Sequence, residues 1–134
     1  METKTDRAES GQRSSDLVLA NAQAKNQILA SKTWTWGAIG RGDCTIDGGA
    51  AFTLFSDGST NWTCDISSKD SGDEWDGAFR VTNGAGVVLF DTGRYHFDIS
   101  ESGVKKRWNE NRGPNAQFAQ SFNEAQGNSF SCSC

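Results

Sequence analysis

The sequence predicts a mainly β fold: an antiparallel sandwich or small barrel of about seven short strands, with an N-terminal helical arm and one C-terminal helix. Three observations predict it. From residue 32 onward, apolar residues recur at alternate positions in short runs. Turn formers such as Asp47-Gly48-Gly49, Asp57-Gly58 and Asn83-Gly84 separate those runs, at the roughly 8–12-residue spacing of all-β domains. The interior must also be aromatic, because Phe, Leu, Ile and Val together supply only 23 of 134 residues while there are five Trp. That length suits one domain, divided into a leader and arm (residues 1–31) and a β body (residues 32–134).

Each element follows from local pattern. Residues 1–15 hold no large apolar side chain after Met1 and read as a solvated leader. Asp16 can cap a helix over 16–31, with Leu17, Ala20, Ala24 and Ile28 near one face. Period two begins at Thr33, placing Trp34 and Trp36 on one side of a strand. A short strand over 43–46 carries Cys44 and Ile46 together. Residues 50–55 and 61–66 then form a hairpin around Ser56-Asp57-Gly58. A three-residue loop with Gly58 in the left-handed region opposes Phe52 to Trp62 and Leu54 to Thr60. That register gathers Phe52, Leu54, Trp62, Cys64 and Ile66 on one face, whereas a two-residue loop would split them.

Residues 67–74 are a polar loop. Trp75, Gly77, Phe79 and Val81 point inward from the next strand. Val87–Phe90 is a continuous apolar run, expected to be covered on both faces. Tyr95, Phe97 and Ile99 turn inward, leaving Arg94, His96 and Asp98 outside. Residues 100–114 are polar and carry no strand signal. Asn115 can cap a helix to about Gln126, with Phe118, Ala119, Phe122 and Ala125 on its apolar face. Residues 130–134 close the body as a strand with Phe130, Cys132 and Cys134 inward.

Charge and cysteines narrow the function. The net charge of −4 argues against nucleic acid as a partner, since phosphate contacts need a basic surface. No window approaches the length of a membrane-spanning helix. Cys44, Cys64, Cys132 and Cys134 suggest two structural disulfides and an oxidising compartment, with three pairings open; free or partly paired thiols are the second reading and a metal site the third. The apolar run Leu17-Val18-Leu19-Ala20 is too short for a signal peptide. The expected location is therefore secreted or exported, by a route without a recognisable classical signal.

Candidate sites stand beside plainer readings. Asp70, Asp73, Glu74 and Asp76 could gather oxygen ligands for calcium, although they lack EF-hand spacing and equally suit a solvated turn. Trp62 and Trp75 belong to the core. Trp34 and Trp36 could be core or part of a sugar-stacking platform. Trp108, beside Arg107 in a polar stretch, is the ring expected to be exposed for contact. His96 joins this binding set from the outer face. His96 with Asp98 could act as a base, but neighbours on one strand face look too far apart for a hydrogen-bonded dyad. No nucleophile turn accompanies them, so no catalytic residue is assigned. Arg41-Gly42-Asp43 matches a short integrin-ligand tripeptide, and Asn61-Trp62-Thr63 is a formal glycosylation sequon inside a strand.

The stretches Phe52–Cys64 (FTLFSDGSTNWTC), Asp73-Glu74-Trp75, Gly86–Phe90, Arg107-Trp108-Asn109 and Phe130–Cys134 together resemble an uncharacterised bacterial family of small secreted-type β domains. The resemblance covers roughly residues 32–134. It implies a compact exported β body and no activity, substrate or catalytic residue. The leading expectation is a small disulfide-stabilised binding module for a cell-surface glycan or protein. One alternative is an exported toxin or enzyme effector with the acidic loop and His96 near one cleft. Another is a structural protein that assembles through residues 1–31.

Overall fold

The computed structural model describes residues 7–20 and 27–134. In chain order the elements are β1 (Arg7–Ser10), β2 (Gln12–Ala20), β3 (Gln27–Trp36), β4 (Ile39–Arg41), β5 (Cys44–Ile46), β6 (Ala50–Phe55) and β7 (Thr60–Ser68). They continue with β8 (Glu74–Thr82), β9 (Val88–Asp91), β10 (Tyr95–Asp98), β11 (Lys106–Arg112), α1 (Ala116–Ser121) and β12 (Gly127–Ser133). A 3-10 turn, Phe122–Glu124, extends α1.

The strands form two antiparallel sheets. The five-stranded sheet runs β1-β12-β8-β10, with β9 also pairing β8. The seven-stranded sheet runs β2-β3-β6-β7-β5-β4, with β11 along the other side of β7. Neither sheet closes on itself, which removes the barrel alternative.

Alternation along each strand builds the core. β6 and β7 bury every second residue, and Phe52 pairs with Trp62 and Leu54 with Thr60, the register that keeps the apolar set together. Gly58 takes φ +84° in the connecting loop. Its missing side chain also admits Asn115, whose carbonyl oxygen would lie 1.9 Å from a Cβ there. Rings from the two sheets meet in the middle: Phe52 and Phe79 lie 4.4 Å apart, Trp62 and Phe130 4.8 Å. Phe79 and Phe130 stack at 4.5 Å beneath Gly77, where a Cβ would fall 2.3 Å from the Phe130 ring. The aromatic interior thus compensates for the scarcity of aliphatic side chains.

Several expectations are corrected. The described residues of the expected helical arm, 16–20 and 27–31, are not helical but lie in β2 and β3. Leu17 pairs with Ala30 and Val18 with Leu29 in one antiparallel ladder. A stripe of small alanines gives a helix little to bury, whereas the ladder satisfies the backbone and extends the Trp34–Trp36 strand backwards. The leader is likewise paired where described: β1 lies on β12. Residues 1–6 and 21–26 of the leader and arm lie outside the described residues. Gly11, between β1 and β2, carries the chain from one sheet to the other, and its amide donates to the Asn128 carbonyl at 2.9 Å.

Val87 and Val88 are more than half exposed, because β9 is a short edge strand covered on one face only. Residues 106–112 form β11, a strand the polar sequence concealed. The C-terminal helix is present but short, and the Asn115 side chain accepts from the Phe118 amide at 3.0 Å as its cap. Phe118 stacks on Phe90 at 4.0 Å.

One disulfide forms, Cys44–Cys134, tying the end of β12 to β5. Cys64 and Cys132 are buried outside that bridge, so the expected second bridge is not made and the partly paired reading holds instead. Burial pushes the Cys64 thiol up to about 12. A buried cation locks the helical turn: Lys32 Nζ donates to the carbonyls of Phe122 at 2.7 Å and Ala125 at 2.9 Å, at the end of the turn where backbone carbonyls run short of helical donors; Phe122 also accepts from the Ala125 amide.

Candidate functional site

The outer face of the five-stranded sheet is polar because its partner face is spent on the core. Along β8, Trp75, Gly77, Phe79 and Val81 are buried, which turns Glu74, Asp76, Ala78 and Arg80 outward. Pairing then sets their neighbours. Asp76 has Ser133 on one side and His96 on the other; Ala78 faces Ser131; Arg80 lies between Ser129 and Asp91.

A groove of about 500 Å³ opens on this face. Ala78, Gly93, Ser131 and Ser133 contribute small side chains or none, so nothing fills the centre. Charged groups stand around it in pairs. Arg80 Nε donates to Asp91 Oδ2 at 3.2 Å, and Arg94 Nε donates to Asp76 Oδ1 at 2.5 Å. Arg112 braces the rim from behind, its guanidinium 3.6 Å from the centre of the Tyr95 ring.

His96 sits beside the groove in a ring of carboxylates. Its Nδ1 is 2.7 Å from Asp76 Oδ1 and its Nε2 is 2.7 Å from Asp98 Oδ1, with Glu74 Oε2 at 3.7 Å. The hydrogen bond to Asp76 is the main cause that raises its pKa above the ordinary histidine value; burial opposes it, and the bond to Asp98 adds to the rise. The sequence reading held His96 and Asp98 too far apart for a hydrogen-bonded dyad. The structure corrects this: both side chains lean along the strand and meet. Ser133 is separated from His96 by Asp76 in the same cross-strand row, so the row does not build a serine–histidine pair.

The remaining predicted residues are dispersed. The acidic loop divides in two: Asp70 and Asp73 group with Asp43, while Glu74 and Asp76 group with His96. Asp70 has its pKa raised by the hydrogen bond it shares with the Asp43 carboxylate. Asp73 accepts from Ser68 Oγ at 2.7 Å.

Trp108 is not an exposed ring. It is 1% exposed and makes an edge contact with Trp62 at 5.8 Å, because it is the inward residue of β11. Trp34 and Trp36 are also core. Arg107 points the other way from its neighbour Trp108. It pairs with Asp65 Oδ1 at 3.0 Å on the outer face of the seven-stranded sheet. No ring among these is available for sugar stacking. Arg41 of the tripeptide is buried and donates to the Cys132 carbonyl at 3.3 Å, removing the exposed arginine that such a motif requires.

Reading missed the groove's Arg80, Asp91, Ser131 and Ser133. They come from strands distant in sequence, and only the pairing of β12, β8 and β9 brings them together.

Among known proteins, the family described as a family of unknown function (DUF6294) matches residues 51–134. No curated protein and no solved structure matches the chain.

Proposed function

The chain belongs to the DUF6294 family of unknown function, and from its geometry we propose that it is an exported, disulfide-tied binding domain that holds a cell-surface glycan in the groove of the five-stranded sheet. The observation that carries this reading is the groove itself: an open depression of about 500 Å³ with small residues at its centre and carboxylate, guanidinium and hydroxyl groups around it. Its volume lies in the range of small-molecule sites. Paired planar groups such as Arg80 with Asp91 and Arg94 with Asp76 match the alternating donors and acceptors of sugar hydroxyls. Recognition here works by hydrogen bonds along the groove, since the tryptophans are committed to the core. The Cys44–Cys134 bridge supports an oxidising compartment.

The test is a glycan array followed by calorimetry on the strongest hit. Arg80→Ala and Asp91→Ala should each weaken binding at least tenfold, while Arg107→Ala, on the other sheet, should leave it unchanged. An array with no retained glycan rejects the reading, as does binding that depends on Arg107 and ignores the groove.

A further inference from the structure

We propose that the groove of the five-stranded sheet selects acidic saccharides, with the Arg80 and Arg94 guanidiniums as the groups that receive the sugar carboxylate. The proposal rests on the glycan reading of this groove and adds to it the charge of the sugar.

The bonds already made inside the protein decide what is left for a ligand. Asp91 spends both oxygens: Oδ1 accepts from the Gly93 amide at 2.8 Å and Oδ2 from Arg80 Nε at 3.2 Å. Asp76 Oδ1 accepts from Arg94 Nε at 2.5 Å and lies 2.7 Å from His96 Nδ1. The carboxylates thus serve to hold the two arginines. Each is held through Nε, which leaves the two terminal nitrogens that carry most of a guanidinium's N–H donors. Arg94 Nη2 does reach His96 Nδ1 at 2.7 Å. His96, however, has Asp76 at Nδ1 and Asp98 Oδ1 at 2.7 Å from Nε2, the setting of an imidazolium that donates to both. An imidazolium offers Nη2 no acceptor, so that nitrogen turns to a ligand as well.

Exposure points the same way. The Arg80 and Arg94 side chains are 62% and 63% exposed, against 44% for Asp91 and 22% for Asp76. An entering ligand therefore meets guanidinium before carboxylate, and the small centre at Ala78 and Gly93 does not hold it off. Donors dominate what the groove still offers. A sugar hydroxyl brings a donor along with its acceptors, whereas a carboxylate brings acceptors alone. Its charged bonds to guanidinium are also roughly twice as strong as neutral ones and form in planar pairs. Density of charge matters too. Glu74 and Asp98 lie beside His96, and the whole chain carries −4, so a heavily sulfated polyanion is repelled where a sugar with a single carboxylate is not.

The experiment is an NMR titration of the full-length, disulfide-intact chain. The probes are the methyl glycosides of glucuronic acid and of N-acetylneuraminic acid, each beside its own methyl ester, which is the same sugar without the charge. Sodium acetate is the carboxylate without the sugar. The expected result is that at least one acid binds at least tenfold more tightly than its ester and moves the Ala78, Gly93 and Ser131 amides with the Arg80 and Arg94 Nε signals. Which acid does so identifies the source of the carboxylate. Arg80→Gln and Arg94→Gln should each lower that affinity at least tenfold, to the level of the ester. Arg107→Gln, on the other sheet, should change nothing. Unfolding midpoints check that the variants fold; if Arg94→Gln fails, Arg80→Gln and the shifted signals decide. Esters bound as tightly as the acids overturn the proposal and leave the glycan reading standing. Acetate bound as tightly as the acids, with the esters not bound, overturns both, because the groove would then be a general carboxylate site. No groove signal moving with any probe overturns the proposal, and the glycan array decides the wider reading separately.

Discussion

Replacing Gly58 by alanine separates backbone strain from close packing. Gly58 takes φ +84°, a left-handed conformation that costs a residue with a side chain about 1–3 kcal/mol. A Cβ would also lie 1.9 Å from the Asn115 carbonyl oxygen and 2.9 Å from the Ala119 amide nitrogen, so the start of α1 must move away. That movement breaks the hydrogen bond from the Asn115 amide to the Asp57 carbonyl and disturbs the Asn115 cap. Each loss is worth about 1 kcal/mol. Strain and displacement together predict a loss of about 3–5 kcal/mol, a large part of the ~5–15 kcal/mol that holds a typical domain together. Gly86 is the control. Its φ is +80°, yet a Cβ there meets nothing within 4 Å, so Gly86→Ala carries the strain alone. Urea unfolding of the oxidised protein, followed by tryptophan fluorescence, measures both variants. If Gly58→Ala costs no more than Gly86→Ala, the seat of α1 on the β6–β7 loop is not as described.

Three further outcomes can be measured. Lys32→Met should destabilise the fold by about 1–3 kcal/mol, because the Phe122 and Ala125 carbonyls lose their buried donor; denaturant midpoints read this directly. Cys134→Ser should cost about 2–5 kcal/mol, since the bridge links residues 90 apart in sequence, and the intact mass of the unaltered protein should show two hydrogens gained on reduction rather than four. His96 should titrate above its ordinary value, and Asp76→Asn should bring it down. A raised folded-state pKa means this contact stabilises the fold fully below the unfolded-state value. The contribution fades as pH rises through the folded-state value, which NMR titration and pH-dependent unfolding can check together.

The sequence made the hairpin of β6 and β7 readable because three signals agreed. Gly58 demanded a particular loop, that loop fixed one register, and the register put Phe52 opposite Trp62 on the buried face. The outward position of His96 was readable for the same reason, from the alternation of Tyr95, Phe97 and Ile99. β11 was not, since Trp108 is its single apolar residue; its strand character comes from the ladder with β7. Residues 16–20 misled because Leu17, Val18 and Leu19 suit either a helix or an edge strand. The pairing with β3 decides, and local pattern cannot reveal it. The groove left no trace in sequence: Asp76, Arg94 and Ser131 form no motif, and only the order of strands makes them neighbours.

The crossing at Gly11 has a mechanical consequence. One residue separates the strand seated on β12 from the strand seated on β3, and a Cβ on it would press to 2.7 Å from that of Trp34. With so little slack, the two layers cannot slide past each other at that corner without tearing a ladder. A force applied to β1 is therefore handed on to β2 almost at once, and the domain resists pulling there as a stitched seam rather than as two separable leaves.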